Sequence, residues 1–443
     1  MNTLKRLVPR GGFAYNVSLL AGSTAVGQVV GVLAAPLLSR LYTPDDFGAL
    51  GVFTSVFMLL NVVSSLRYEY AINLADDDDE AAQVLGVTLA LVIVSSLILL
   101  AVALTLAQPV ADWLNAPALG PYLWLMPLSL LGAGVYTAFN YWALRRASFG
   151  ALGRTRITQS LTGTLVPLAV GALAQGPFGL LLGHAVAQSA GSTTLARLSW
   201  RQNSAALRGI NRRGMARAAR RYGRLALLTS ASALVNTAGA QVPRLLLSGL
   251  YGTAVTGWFT FSQRIFAIPI GIVGVSVGQV FLSSAARLAR ENPPELRRFF
   301  FKTARRLFLL GLLPAGVLMV VGAPLFAFVF GPQWETAGAY TQILAPAFLI
   351  QFVVSSLSQV MFVIRRANLQ LAWDVLRLFS VGGVFAAAAA FNLDDPQGVL
   401  LYALALILTY GILFALQWRL LDVFVQRGLP AHEPAAPYGD SAL

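Results

Sequence analysis

Seven charged side chains interrupt the long apolar stretches of this 443-residue sequence. They are Arg40, Arg67, Glu69, Arg244, Arg264, Asp374 and Arg377. A charge inside hydrocarbon is costly, so such side chains usually face an opposite charge or a water-filled space. Five are positive and two are negative, which predicts an interior with net positive charge. Because guanidinium groups are planar, permanently charged and bidentate, they are suited to binding an anion such as phosphate.

The spacing of two pairs of these residues along a helix indicates whether the members of each pair can interact. Asp374 and Arg377 are three positions apart on one helical face, so they could neutralise each other instead of facing a cavity. Arg67 and Glu69 are two positions apart and point to different sides of a helix, so each needs another partner. The sequence leaves both roles open for Asp374 and Arg377.

The other three arginines have no acidic residue nearby within their apolar stretches. Arg40 lies at the end of the first stretch, where its side chain could reach the headgroup layer. Arg244 and Arg264 lie deeper, in the outer parts of two consecutive stretches. A phosphate-bearing headgroup whose lipid tail stays in the bilayer would fit such a distribution of positive charge. Polar residues such as Gln28 and Gln241 could line the same space, although bonding between helices is the more common role of such side chains in membranes.

Membrane-spanning helices must position these charges. The sequence is 57% hydrophobic, only 11% charged, and has a mean hydropathy of +0.68. About 20 apolar residues span a bilayer as a helix, and backbone groups must be satisfied within the segment. We therefore predict an all-α polytopic membrane protein of about twelve helices: Val17–Leu38, Phe47–Leu74, Ala82–Ala107, Pro121–Leu144, Ile157–Leu173, Phe178–Ala196, Leu225–Leu250, Thr256–Leu282, Leu307–Phe330, Ala337–Ile364, Leu369–Phe391 and Val399–Leu421.

Basic residues in the connecting segments predict the orientation. With the N-terminus inside, 27 of the 32 basic residues fall in cytoplasmic segments, and the opposite loops hold only Arg40. This bias predicts that both termini lie in the cytoplasm. The net charge of +14 then reflects topology and anionic lipids, and no nucleic acid is expected as a partner. The acidic run 76–80 is the exception on the cytoplasmic side. The basic segments 208–224 and 294–306 are predicted to lie along the membrane surface.

An offset of 209 residues relates the two halves of the chain. Leu37-Leu38-Ser39 matches Leu246-Leu247-Ser248, and Gly48 matches Gly257. We predict two six-helix bundles, residues 1–210 and 211–443 with a short cytoplasmic tail, related as a parallel repeat by an axis along the membrane normal. The sequence has no cysteine and no spacing typical of a metal site, a phosphate loop or a nucleophile–base pair. No cofactor, metal or catalytic residue is expected.

Several stretches resemble one family of bacterial membrane proteins. They are PLLSRLYTPDDFGALGVFT from Pro36, LRYEYAINLADDDDEA from Leu66, the region 244–286, and FGPQWETAG from Phe330. They are similar to O-antigen and polysaccharide flippases of the multidrug/oligosaccharidyl-lipid/polysaccharide exporter superfamily. The resemblance implies two bundles around a V-shaped cavity. It also implies transfer of undecaprenyl diphosphate-linked oligosaccharide to the periplasmic leaflet, with a polysaccharide polymerase and a chain-length regulator as partners.

The resemblance also implies a bacterial inner-membrane location and indicates which residues take part, with Glu69 as the best candidate for coupling to H⁺ or Na⁺. Arg67 and Glu69 match the family's pattern directly, and Arg244 and Arg264 follow less closely. Relatives often have a proline where this chain has Ala75. A multidrug exporter of the same superfamily is the nearest alternative, although cationic drugs call for an acidic interior. A polymerase or glycosyltransferase acting on lipid-linked sugars is a second alternative, although the longest outer loop, 108–120, carries only one charge.

Overall fold

The computed structural model describes residues 13–269 and 274–427, and every regular element in those ranges is helical. The N-terminal lobe comprises α1 (Phe13–Leu41), α2 (Pro44–Ser64), α3 (Asp78–Thr105), α4 (Ala107–Trp113), α5 (Leu125–Arg145), α6 (Phe149–Gly171), α7 (Phe178–Ser189) and α8 (Ser192–Arg208). The C-terminal lobe comprises α9 (Arg212–Pro269), α10 (Val275–Glu291), α11 (Pro293–Phe330), α12 (Glu335–Leu357), α13 (Val360–Val363), α14 (Ala367–Ala390) and α15 (Asp395–Arg427). The all-α prediction is confirmed.

Eight helices of the described ranges are long and apolar enough to cross a membrane. One of them, α9, contains the predicted seventh span and the first part of the eighth, which meet at a bend at Gly252. The end of the predicted eighth span lies in α10. The predicted fourth, fifth and sixth spans correspond to α5, α6 and the α7–α8 pair. These helices are not among the eight that are long and apolar enough to cross a membrane. The chain is therefore a multi-pass membrane protein. The predicted boundary between bundles, at residue 210, lies in the short break between α8 and α9.

Two details of the predicted helices are wrong. The second helix ends at Ser64 instead of continuing to Leu74, because Leu66 and Arg67 adopt left-handed backbone conformations, with φ of 47° and 57°. A 3-10 helix over Tyr68–Asn73 follows this turn. The basic segments 208–224 and 294–306 do not form separate surface helices, because most of each is the first part of a long membrane helix, α9 or α11.

The acidic run 76–80 is neutralised by arginines that the sequence places on the same side of the membrane. Its ion pairs are Asp78 with Arg145 at 3.1 Å and with Arg146 at 2.9 Å, and Arg221 with Asp76 at 2.9 Å and with Glu80 at 2.6 Å. Asp77 caps α3 by accepting a hydrogen bond from the Glu80 amide, and acidic groups favour this end of a helix. We call the membrane side that carries these groups the arginine-rich side, and the opposite side the arginine-poor side.

The predicted repeat appears as a reciprocal contact between the lobes. A Cβ atom at Gly48 would lie 1.8 Å from the carbonyl oxygen of Thr253, and one at Gly257 would lie 1.8 Å from that of Pro44. The offset of 209 residues relates one contact to the other, because Gly48 corresponds to Gly257 and Pro44 corresponds to Thr253. The start of α2 and the part of α9 just after Gly252 therefore pack backbone to backbone across a pseudo-two-fold axis, as a parallel repeat requires.

A second reciprocal contact lies beside the first. The buried hydroxyl of Ser39 donates to the Phe330 carbonyl at 3.0 Å, while the Trp334 indole donates to the Ser39 carbonyl at 2.8 Å. The hydroxyl of Ser248, 209 positions later, donates to the Leu114 carbonyl at 3.2 Å, and the Asn115 amide donates to the Ser248 carbonyl at 2.9 Å. Each serine thus contacts a loop of the opposite lobe on the arginine-poor side.

Aromatic packing fills the space between these contacts. The rings of Phe261 and Trp334 stack with centroids 4.2 Å apart, and Phe47 meets both of them edge-on at 5.3 and 5.2 Å. All three side chains are fully buried. We call this region the interlobe seal. It comprises the reciprocal contacts made by Gly48 and Gly257, those made by Ser39 and Ser248, and the three rings.

We expect Gly48→Ala and Gly257→Ala to destabilise the closed arrangement of the lobes by about 1–3 kcal/mol each, because overpacking forces the backbones apart. Thermal unfolding of the purified protein in detergent measures this as a lower midpoint. The matched control is Gly411→Ala on α15, where a Cβ would meet nothing within 4 Å, and its midpoint should stay unchanged or rise slightly. Equal midpoints for all three variants would contradict the close approach.

Candidate functional site: an arginine-lined cavity between the lobes

A cavity of about 600 Å³ lies between α1 and α6 of the N-terminal lobe and the last part of α9. Its lining residues are Ser23, Thr24, Gly27, Gln28, Gly31, Val32, Ala35, Arg156, Gln159, Ser160, Gly163, Thr164, Arg264 and Ile265. Along α1, the distance from Ser23 to Ala35 is roughly 18 Å at 1.5 Å per residue, more than half the hydrocarbon thickness. Ala35 also belongs to the apolar cluster that contains Phe261 and Trp334, so the interlobe seal closes the cavity on the arginine-poor side.

Two arginines supply the charge of this cavity. Arg264 reaches in from α9, with its Nη2 atom 4.0 Å from a Cβ built at Gly31 of α1. Arg156 reaches in from α6 and donates to the Thr24 hydroxyl at 3.2 Å. Within the described ranges neither guanidinium has a carboxylate partner, and the lining includes no acidic side chain. The cavity therefore carries two positive charges that are available to an anion. Arg264, which the sequence names as a cavity cation, lies in its lining, and its binding of an anion stays a prediction.

The sequence interpretation missed Arg156, because it counted this residue with the cytoplasmic loop after α5. In the structure α6 already begins at Phe149, so Arg156 lies two turns inside the helix. A signal was present in the spacing: the small and polar residues at 156, 159, 160, 163 and 164 recur every three to four positions, which is one face of a helix. Gln28, for which the sequence left open lining this space or bonding between helices, lies in the lining.

Arg244 lies in the first part of α9, next to the contact with α2. Its guanidinium donates to the side-chain oxygens of Gln241 and Gln263, each at 2.8 Å, and Gln241 also accepts a hydrogen bond from Ser55 of α2 at 3.3 Å. These partners are neutral, so within the described ranges no carboxylate compensates the charge of Arg244. Because Gln263 precedes Arg264 in the chain, this network links the two uncompensated arginines of α9 to the N-terminal lobe.

Arg377 does not supply charge to the cavity. It lies 3.4 Å from the Asp374 carboxylate, donates to the Asn236 carbonyl at 3.0 Å, and covers the Trp373 ring at 4.9 Å. Asp374 accepts a further hydrogen bond from the Asn236 amide at 2.8 Å, and both charged residues are buried. The assignment of Arg377 as a cavity cation is therefore wrong, and the alternative of mutual neutralisation is confirmed.

Arg67, Glu69 and Arg40 also lie away from the cavity lining. Because α2 ends at Ser64, Arg67 and Glu69 occupy the turn and the 3-10 helix at the arginine-rich end. Arg67 bonds to the Tyr70 hydroxyl and stacks on its ring, while buried Glu69 accepts a hydrogen bond from Ser65 at 2.7 Å. Arg40 is exposed in the last turn of α1, on the arginine-poor side, where the headgroup alternative applies.

We expect Asp374→Ala to destabilise the C-terminal lobe by about 3–5 kcal/mol, because it leaves the Arg377 charge buried without its carboxylate. Thermal unfolding in detergent tests this, and the double variant Asp374→Ala/Arg377→Met should regain most of the loss. The control Arg264→Met should leave the midpoint close to that of the parent protein, since Arg264 makes no ion pair with any residue that the structure describes. A double variant no more stable than Asp374→Ala would contradict a structural ion pair.

The described ranges contain no group of three or more metal-ligating side chains in one place. The charged side chains that line the cavity are arginines, which donate hydrogen bonds and do not bind metal ions. Guanidinium, amide and hydroxyl groups converge there from three helices. Such a set binds oxygen-rich anionic ligands and polar hydroxyl groups.

Comparison with solved structures identifies the fold. The chain superimposes on an inward-facing multidrug resistance MATE family transporter of the MOP superfamily with a TM-score of 0.67, at 14% identity over 90% of this chain and 96% of the other. An outward-facing structure from the same family gives 0.57, at 16% identity over 95% and 98%. The lipid II flippase MurJ, in an inward closed conformation, gives 0.61, at 13% identity over 92% and 90%. At these identities the likeness establishes the fold, including its two-lobe repeat.

Sequence comparison identifies the family. The chain is 28% identical over 165 residues to the teichuronic acid biosynthesis protein TuaB of Bacillus subtilis (strain 168), a match that covers 37% of this chain and about a third of that relative. The family model described as polysaccharide biosynthesis protein matches residues 37–339, which is well over half of the chain. The protein belongs to this polysaccharide biosynthesis family.

Proposed function

We propose that this protein is a flippase that moves a lipid-linked oligosaccharide across the bacterial inner membrane for the synthesis of a surface polysaccharide. One observation carries the proposal: an interlobe cavity of about 600 Å³ holds Arg156 and Arg264 with no carboxylate in its lining. Membership of the polysaccharide biosynthesis family and the transporter fold support it.

The ligand is a lipid diphosphate, of the undecaprenyl diphosphate type, carrying a short glycan. Its phosphates bind between the two guanidinium groups, which offer paired, permanently charged donors. Its sugar hydroxyls bind the side chains of Gln28, Gln159 and Ser160 on the facing helices α1 and α6. The lipid tail leaves the cavity sideways into the bilayer, so only the polar part needs a path through the protein.

Access to the cavity alternates between the two membrane sides. The positive-inside bias assigns the arginine-rich side to the cytoplasm, together with both termini, and the interlobe seal to the periplasmic side. The ligand enters from the cytoplasm, and rocking of the lobes then opens the seal and releases it into the outer leaflet. Glu69 is the proposed site of coupling to H⁺ or Na⁺, since Asp374 is neutralised by Arg377. A polymerase and a chain-length regulator act on the released product.

The charge of the cavity separates this function from its two alternatives. A multidrug exporter for cationic compounds needs acidic groups in the cavity, whereas the lining here carries two arginines. A polymerase or glycosyltransferase needs a catalytic group at the outer surface. The connection between α3 and α5 offers one charged residue, Asp112, which bonds to Gln108 at 2.9 Å.

Deletion of the gene in its native host tests the proposal. We expect loss of surface polysaccharide and build-up of single lipid-linked repeat units that remain in the cytoplasmic leaflet, out of reach of periplasmic glycosidases in spheroplasts. Repeat units that reach the outer leaflet but stay unpolymerised would indicate a polymerase. Normal polysaccharide with increased sensitivity to cationic drugs would indicate a drug exporter. Either of these results would overturn the proposal.

A further inference from the structure

A second cavity, of about 620 Å³, lies at the arginine-rich side of the N-terminal lobe and is separate from the interlobe cavity. Its lining comes from α3, α5, α8 and the start of the connection to α9: Leu85, Leu89, Phe139, Ala196, Arg197, Trp200, Arg201, Leu207 and Ile210. Leu85 and Leu89 lie seven and eleven residues after the start of α3, roughly 10 and 16 Å into the membrane. The cavity thus runs from headgroup depth into the hydrocarbon layer.

Arg197 and Arg201 form the polar edge of this cavity. They are four residues apart on one face of α8, and both are exposed. Neighbouring arginines on the same membrane side, Arg145, Arg146 and Arg221, are paired with the acidic run 76–80. In contrast, neither Arg197 nor Arg201 has an ion pair within the described part of the chain. These two positive charges are therefore free to bind an anion.

The rest of the cavity is apolar and suited to an acyl chain. Leu85, Leu89 and Phe139 form its inner wall, and the Trp200 ring stands half exposed at its rim, where tryptophan favours the boundary between lipid and water. A bend at Asn203, held by a hydrogen bond from its amide to Asp78 at 3.2 Å, turns the end of α8 so that Leu207 closes the floor.

We infer that this cavity is a binding site for an anionic phospholipid of the cytoplasmic leaflet. The phosphate lies between Arg197 and Arg201, and one acyl chain lies along Leu85 and Leu89. Basic pockets between membrane helices on the cytoplasmic side bind such headgroups, and each nearby arginine contributes attraction at the membrane surface. The bound lipid would join α8 to α3 and so stabilise the N-terminal lobe. This inference does not depend on the proposed transport function.

Titration of the purified full-length protein in detergent with brominated phosphatidylglycerol tests the site. Bromine on the acyl chain quenches nearby tryptophan, so Trp200→Phe should reduce the quenching. Trp142, which packs in the same apolar cluster as Leu85 and Leu207, should account for what remains. We expect Arg197→Gln/Arg201→Gln to weaken binding by about tenfold or more. The matched control Arg217→Gln/Arg220→Gln removes the same charge from exposed positions on α9 and should bind like the parent protein.

Three results would overturn the inference. Equal weakening by both double variants would indicate diffuse attraction to the basic surface. Equal quenching by brominated phosphatidylcholine would show that the phosphate charge is not recognised. Displacement of the lipid by inorganic phosphate alone would indicate a simple anion site. If the Arg197→Gln/Arg201→Gln protein elutes as an aggregate, Arg197→Lys/Arg201→Lys, which keeps the charge, provides the second comparison and should retain most of the binding.

Discussion

We expect Arg264→Glu to abolish measurable transport while the protein still accumulates in the membrane. The substitution places a carboxylate where the phosphates of the ligand are proposed to bind, and like charges at this distance repel. Loss of one partner of a desolvated charge pair typically costs about 2–5 kcal/mol. At 1.4 kcal/mol per tenfold change, this corresponds to a decrease of roughly 30-fold to more than 1,000-fold in affinity. Restoration of surface polysaccharide in the deletion strain measures the effect.

Two control variants test whether the position of Arg264 and the geometry of its guanidinium group matter, beyond the charge that it carries. Arg40→Glu makes the same charge change at an exposed position outside the cavity, and we expect transport within about twofold of the parent protein. Arg264→Lys keeps the charge but loses the bidentate geometry, so it should retain part of the activity. Arg156→Glu should resemble Arg264→Glu. Full transport by Arg264→Glu at a normal protein level would exclude the cavity as the phosphate site.

Locking the interlobe seal should stop transport completely and reversibly. The Thr253 hydroxyl donates to the Asp45 carboxylate at 2.6 Å, across the contact between the lobes on the arginine-poor side. Since the chain has no cysteine, Asp45→Cys/Thr253→Cys introduces the only two thiols. A short bifunctional thiol reagent with a cleavable disulfide should then join the lobes and prevent the rocking that opens this side. Transport in spheroplasts, before and after a reductant, gives the measurement.

The controls for this experiment are other cysteine variants of the same protein. Each single variant, Asp45→Cys or Thr253→Cys, should transport normally with the reagent. The pair Gln108→Cys/Gly120→Cys joins two segments of the N-terminal lobe on the same membrane side, and its cross-link should leave transport intact. Undiminished transport by a fully cross-linked Asp45–Thr253 pair would show that this side does not open during the cycle.

The charged residues of the apolar stretches show how far local sequence reasoning reaches. The spacing of Asp374 and Arg377 already contained the correct alternative, because an i,i+3 pair is a local feature of one helix. The placement of Arg67 in a helix was wrong, because a left-handed turn at Leu66 and Arg67 ends α2 ten residues early. Such a turn in residues other than glycine is decided by packing, which hydropathy does not report.

The amino-acid sequence by itself determined that the chain is an all-helical membrane protein with a repeat of 209 residues. Membrane burial dictates helices wherever apolar residues run for twenty positions, and Gly48 and Gly257 recur because both backbones approach closely at the symmetry axis. Only the tertiary structure decided which charges share a space. Arg156 and Arg264 are 108 positions apart, and they line the same cavity because α6 packs on α1 while the bend at Gly252 returns α9 to that cavity. Their shared cavity depends on how three helices cross, a long-range property that no local pattern encodes.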